Sequence, residues 1–182
     1  GSNTTGNGNT ANGSYALSAN TLGTANTAIG TDALKANTTG NFNTAVGQLA
    51  LQTSSTAKNN TALGYGACSF LTSGEENVAV GRAALGSTTS GDDNSASGFE
   101  AMYSNTTGAE NAAFGHSALR SNTTGGFSCA LGKNALYNNT IGTENTAIGF
   151  NSLYNNKTGA NNTALGDGAG YGGTDINFTQ CS

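Results

Sequence analysis

Large apolar residues recur along this chain in two series, and each series falls on every seventeenth position. The first is Ile29, Val46, Leu63, Val80, Phe114, Leu131, Ile148 and Leu165. The second is Leu17, Leu34, Leu51, Leu85, Leu119, Leu136 and Leu153. Between them lie Gly, Asn, Thr and Ser. A fixed period of this size is the signature of a solenoid, in which each repeat stacks on its neighbour to bury a shared core.

Ten copies run from Asn9 to about Gly170 without insertion or deletion. With Asn9 as column 1 of a 17-column unit, column 5 is Gly and column 3 is Ala in every copy. Column 1 is Asn except at Ser128, column 8 is Ala except at Ser152, and column 15 is Gly except at Ala57. Column 9 is Leu, with Cys68, Met102 and Gly170 as exceptions. Invariant glycine marks positive φ or close backbone approach, so columns 5 and 15 predict two turns per unit. Columns 1–4 (Asn-Thr-Ala-apolar) and columns 8–14 (Ala-Leu-x-x-Asn-Thr-Thr) are short, Thr-rich and bounded by turn residues, which predicts two strands. The expected fold is all-β, a parallel β-solenoid of ten coils, each rising about 4.8 Å to give a rod about 48 Å long. Equal columns become ladders, and the column 1 asparagines predict a side-chain amide ladder.

Composition alone points the other way. Gly, Asn and Thr supply 81 of the 182 residues, only 9% are charged, and Pro is absent. The period turns much of this into turn columns and ladders, and a proline would remove a ladder donor. With six Lys and Arg and a net charge of −4, there is no basic footprint for nucleic acid. No apolar run reaches the length of roughly 18 residues that a spanning helix needs, so no membrane insertion is expected. Two large apolar residues per coil are few against the backbone entropy of ordering a whole repeat unit. Columns 3 and 4 must face opposite ways, one filling the roll and the other meeting partner chains. The rod is therefore expected to share its core with copies of itself.

The strings Asn-Thr-Ala-Ile-Gly (26–30 and 145–149) and Asn-Thr-Ala-Val-Gly (43–47) closely resemble the head repeats of trimeric autotransporter adhesins. The longer unit Asn-Thr-Ala-x-Gly-x-x-Ala-Leu-x-x-Asn-Thr-Thr-Gly is also similar to repeats of bacterial and phage fibre proteins. The resemblance covers roughly residues 3–170. It implies a left-handed parallel β-roll assembled as a homotrimer, and an extracellular, cell-surface or virion-fibre setting. The function it implies is a non-enzymatic adhesin or fibre-tip module that recognises a glycan or protein on a target cell; the alternative is a spacer or filament subunit without a ligand. Residues 1–2 read as a cloning remnant, 3–170 as the β-roll, and 171–182 as a cap or connector. The chain is expected to be one module of a longer fibre.

No catalytic constellation and no cofactor or metal site is legible. His116 stands alone in column 6, and Ser/His/Asp chemistry needs three convergent partners. Column 10 holds Tyr103, Arg120, Tyr137, Tyr154 and Tyr171, a stripe expected either to contact a ligand such as a glycan or to pack as a surface ladder. Columns 16 and 17 gather Glu75, Glu76, Asp92, Asp93, Glu110 and Glu144 into an acidic edge, expected to be a solubilising surface. Column 2 carries Thr at Thr10, Thr27, Thr44 and Thr61 and again at Thr146 and Thr163. Its central break argues against a flat ice-binding array. Asn37, Asn105 and Asn122 head glycosylation acceptor triplets. Cys68 and Cys129 stand about 17 Å apart along the axis, too far for a disulfide. Cys181 is expected to be free or to link chains.

Overall fold

The computed structural model describes residues 4–172. It contains one parallel sheet of ten three-residue strands in sequence order, β1 (Thr10–Asn12) to β10 (Thr163–Leu165). Every strand pairs with the next in a register of 17, so Ala28 faces Ala45 and Ile29 faces Val46. The period and the parallel solenoid are as the repeat predicts; no helix occurs among the described residues.

The second expected strand does not form. Columns 8–11 fold as turns instead, and columns 12–14 run on as bends without strand pairing. The cause is a run of left-handed residues at columns 7, 9 and 17, where φ lies between 48° and 68°. Overlapping turns close over them: Ala33 N–H donates to the Gly30 carbonyl (3.3 Å), Lys35 N–H to Asp32 (3.3 Å) and Asn37 N–H to Leu34 (3.1 Å). Columns 7 and 9 occupy the third position of successive turns, where positive φ is required. The alternate N–H groups reach the neighbouring coil, as Leu34 N–H does to the Ala50 carbonyl (3.0 Å). None of the side chains in these three columns is Val, Ile or Thr. β-Branched side chains fit this backbone worst, and their exclusion is conspicuous in a chain with 27 threonines.

The two glycine columns have different reasons. At column 5, φ is 122°–143°, and a Cβ on Gly64 would stand 2.5 Å from the Gly81 carbonyl oxygen. At column 15, φ is not left-handed. There, a Cβ on Gly40 would lie 2.3 Å from both the Ala57 carbonyl oxygen and Asn37 Oδ1. Close approach, not turn geometry, fixes that glycine.

The interior is thin and half polar. Columns 3, 8 and 9 supply Ala, Ala and Leu, fully buried through the central coils. Columns 1 and 12 add buried asparagines. In column 1, Asn43 Nδ2 donates to Asn26 Oδ1 (3.1 Å) and to the Ala57 carbonyl (2.8 Å), while Asn43 N–H also donates to Asn26 Oδ1 (3.0 Å). In column 12, Asn37 Nδ2 donates to Asn20 Oδ1 (2.8 Å) and to the Gly40 carbonyl (3.1 Å). Both ladders therefore end on the column 15 carbonyl. Column 13 adds a third, in which threonine hydroxyls such as Thr106 Oγ1 donate to the next coil's carbonyl (2.9 Å). Column 4 takes no part in this interior: Ile29, Leu63, Phe114 and Leu131 are exposed on the outer sheet face.

One coil breaks the pattern twice, and the two breaks fit together. Column 12 loses its asparagine in three successive coils, at Ser54, Leu71 and Thr88, and in the first of them Ala57 also replaces the column 15 glycine. The shorter serine relieves one of the two close approaches that a Cβ meets in this column, the one to the column 12 side chain. The exchange leaves Asn37 Oδ1 and Ser54 Oγ buried without a hydrogen-bond partner. Ser54→Asn alone is expected to destabilise the rod, because the new amide meets the methyl. With Ala57→Gly, the same change is expected to cost less, because the new amide can donate to Asn37 Oδ1 without meeting a methyl, while Leu71 in the next coil leaves its oxygen without a donor. Urea unfolding of the double-mutant cycle should give a coupling of about 1–3 kcal/mol; additivity within about 0.3 kcal/mol overturns the account.

Candidate functional site

The side chains that change most from coil to coil lie on columns 6, 7, 10 and 11, around the corner from the sheet, and on columns 16 and 17. The side chains of column 10 come together as one continuous stack. Tyr137 and Tyr154 lie with ring centroids 5.0 Å apart and planes within 7°, and Tyr154 and Tyr171 are 5.2 Å apart. Arg120 fills the rung below, 5.4 Å from the Tyr103 ring and 5.8 Å from Tyr137. Its Nε donates to Glu100 Oε2 at 2.8 Å. That hydrogen bond chiefly holds the guanidinium charged by raising its pKa. Desolvation and the two neighbouring rings raise the Tyr154 pKa. Through most of this stack the ring faces cover one another, so edges and hydroxyls are what it offers to solvent.

A second ladder runs beside it on column 6, where His116 alone stood out in the sequence. Arg82 sits 5.9 Å from the Tyr65 ring and 5.3 Å from Phe99. Phe99 stacks on His116 at 4.9 Å, and Lys133 Nζ is 5.9 Å from Phe150. Such aromatic–cation contacts contribute about 0.5–1 kcal/mol each at exposed sites. The signal was present in the sequence as the column Tyr65, Arg82, Phe99, His116, Lys133, Phe150, in which rings and cations intermingle at coil spacing.

Between the two ladders lies a cavity of about 310 Å³. Its floor is Gly66, Ala83 and Gly86, and its walls include Tyr65, Phe70, Arg82, Glu100 and Tyr103. It opens where column 10 carries Ser69 and Gly86 in place of large side chains.

The acidic edge stays apart from both ladders. Glu75 pairs with Lys58 (3.1 Å), and Asp92 Oδ1 accepts the Glu75 N–H (2.8 Å). Among the described residues, no group of three or more His, Cys, Asp or Glu side chains is arranged to hold a metal. No helix among them is long and apolar enough to cross a membrane. The amides of Asn37, Asn105 and Asn122 are fully buried and hydrogen-bonded. The folded rod therefore withholds these three acceptor sites from glycosylation. Cys68 and Cys129 are both free thiols. Cys181 lies outside the described residues.

Cys68 takes the place of a core leucine, and burial pushes its pKa up from 9.0 to about 12. Well below pH 9 the thiol is protonated in both folded and unfolded chains, so it adds no pH dependence there. Above pH 9 only the unfolded chain ionises, and stability falls by up to about 1.4 kcal/mol per pH unit. Cys68→Leu is expected to remove that component. Urea unfolding at pH 8 and pH 10.5 checks it: equal alkaline losses in both proteins contradict a buried, neutral Cys68.

Searches against protein-family models, curated proteins and solved structures return no match, and the functional reading rests on the geometry of these columns.

Proposed function

We propose that this chain is a non-enzymatic extracellular adhesin or fibre-tip module, assembled as a left-handed homotrimer, that recognises a glycan or protein on a target-cell surface. The observation that carries this reading is the division of labour among columns. Columns 1, 3, 5, 8 and 15 are nearly fixed, while columns 6, 7, 10, 11, 16 and 17 change from coil to coil. The rod thus displays different side chains in register on an unchanging scaffold. Tyr103, Arg120, Tyr137, Tyr154 and Tyr171 belong to that display and present their edges and hydroxyls outward.

The trimer is supported by the outer sheet face. Ile29, Leu63, Phe114, Leu131 and Leu165 form an apolar row on column 4, with Val78 of column 2 on the same face, that the chain itself does not cover. Contiguous exposed apolar surface of this kind marks an interface. A copy of the same chain offers a row of matching length and spacing.

A second reading is a spacer or filament subunit, and one observation favours it: the aromatic rings stack on one another, as a rod built only for stiffness would arrange them. Binding of the purified protein to a glycan array and to cultured epithelial cells separates the two. Silence in both favours the spacer.

Sedimentation equilibrium tests the assembly. The wild type is expected at three times the chain mass. Leu63→Ser with Leu131→Ser is expected to shift it toward monomer without loss of the coil, because column 4 already accepts Ser97 and Asn12. A folded wild-type monomer overturns the trimer.

A further inference from the structure

The cavity between columns 6 and 10 is more than a gap between two ladders. We propose that it is a saccharide-binding site that holds one or two pyranose rings of a neutral glycan. The inference rests on the adhesin reading and specifies its ligand.

Three features of the groove point to this chemistry. First, the aromatic walls are available. Phe70 is 58% and Tyr65 48% exposed, and Phe70 stacks on no other ring among the described residues. Tyr103 is the last ring of its ladder, with no ring below it, because Gly86 and Ser69 occupy column 10 there. The Tyr103 ring leans over Gly86, where a Cβ would be 3.1 Å from its Cδ2 and Cε2. The C–H faces of a pyranose pack on the electron-rich faces of such rings.

Second, the polar groups match hydroxyls. Glu100 uses Oε2 for Arg120 and keeps Oε1 for a hydroxyl donor. Arg82 forms no ion pair among the described residues, so its N–H groups can donate to a hydroxyl oxygen. Gln52 and Ser69 complete the lining. The lining carries one cation, Arg82, and one anion, Glu100, which Arg120 already balances, so the site offers hydrogen-bonding groups and no excess of negative charge to a neutral sugar. A concave site with aromatic walls and a few convergent polar groups, at about 300 Å³, has the size and make-up of a small-molecule site.

Third, an added peptide strand has nothing to pair with. The N–H groups of Gly66, Phe70, Ala83, Gly86, Glu100 and Tyr103 already donate to carbonyls of this or neighbouring coils. Recognition must run through side chains, as it does for a ligand rich in hydroxyls.

The floor supplies the test. A Cβ on Gly66 would meet nothing within 4 Å, so a side chain there projects into empty space. Column 7 already carries Leu49 with φ 63° against Gly66 at 64°. Gly66→Leu therefore fills the groove without asking the backbone for a new conformation.

Saturation-transfer NMR with lactose, maltose, cellobiose and N-acetyllactosamine reads the site directly. At least one disaccharide is expected to bind. Gly66→Leu and Phe70→Ala should each weaken it by at least about tenfold. Phe42→Ala, an exposed aromatic on column 17, should leave it unchanged. Binding that survives Gly66→Leu, or that is lost instead in Tyr154→Ala, overturns the groove. So does a wild type silent to all four sugars. In that case, continued attachment of the wild type to epithelial cells preserves the adhesin reading while the groove fails; loss of both fells both.

Discussion

The fold depends on the buried column 1 asparagine ladder, which a second ladder in column 12 joins at the same backbone carbonyl wherever that column keeps its asparagine. A thin interior cannot leave an amide unpaired, since each buried donor or acceptor without a partner costs about 1–3 kcal/mol. Asn43 meets that demand with Asn26 in the previous coil and with the Ala57 carbonyl across the roll. Asn37 does the same with Asn20 and Gly40. These bonds close only if the next coil presents the same amide at the same height. The absence of any insertion over ten repeats follows directly, while the column 15 glycine leaves room for the next coil's carbonyl, which a Cβ would meet at about 2.3–2.4 Å. Ser128 shows what the ladder tolerates. Its Oγ still accepts the Asn145 N–H (3.2 Å), while the bond across the roll is given up.

The tightness of the circuit explains where the apolar residues go. Three left-handed residues per coil bend the chain back on itself within 17 positions. That leaves an interior wide enough for one leucine, two alanines and two asparagines. Column 4 cannot share it with column 3, so valine, isoleucine, leucine and phenylalanine end up on the outside of the sheet. The apolar outer row is a geometric consequence of the narrow coil, and the same narrowness pushes columns 6 and 10 outward into adjacent ladders.

The period, the parallel register, the alanine and leucine core and the amide ladder were legible because each needs a particular residue at one height in every coil. Columns 8–14 misled for a physical reason: their threonines favour extended backbone, yet Leu34 and its equivalents sit at φ near 50°. Leucine is a poor advertisement for a left-handed position. The informative sign was the exclusion of β-branched residues, which is visible only when whole columns are compared. The tyrosine stripe was legible as a row, but the sequence does not say that its rings face one another. The groove was harder still, because it is made by what is missing at Ser69 and Gly86 and by a column 6 ladder whose members differ in charge and type.

The bonds between coils run along the rod, and within one chain each coil is held by its two neighbours alone. A pull applied to the ends therefore works on the terminal coil first and leaves those behind it intact. Releasing one coil frees a full repeat, about 56–61 Å of extended chain, from a stretch that occupied about 4.8 Å of the rod. Under tension such a rod lengthens in discrete steps, giving up one rung at a time while the rest keeps its shape and its displayed side chains.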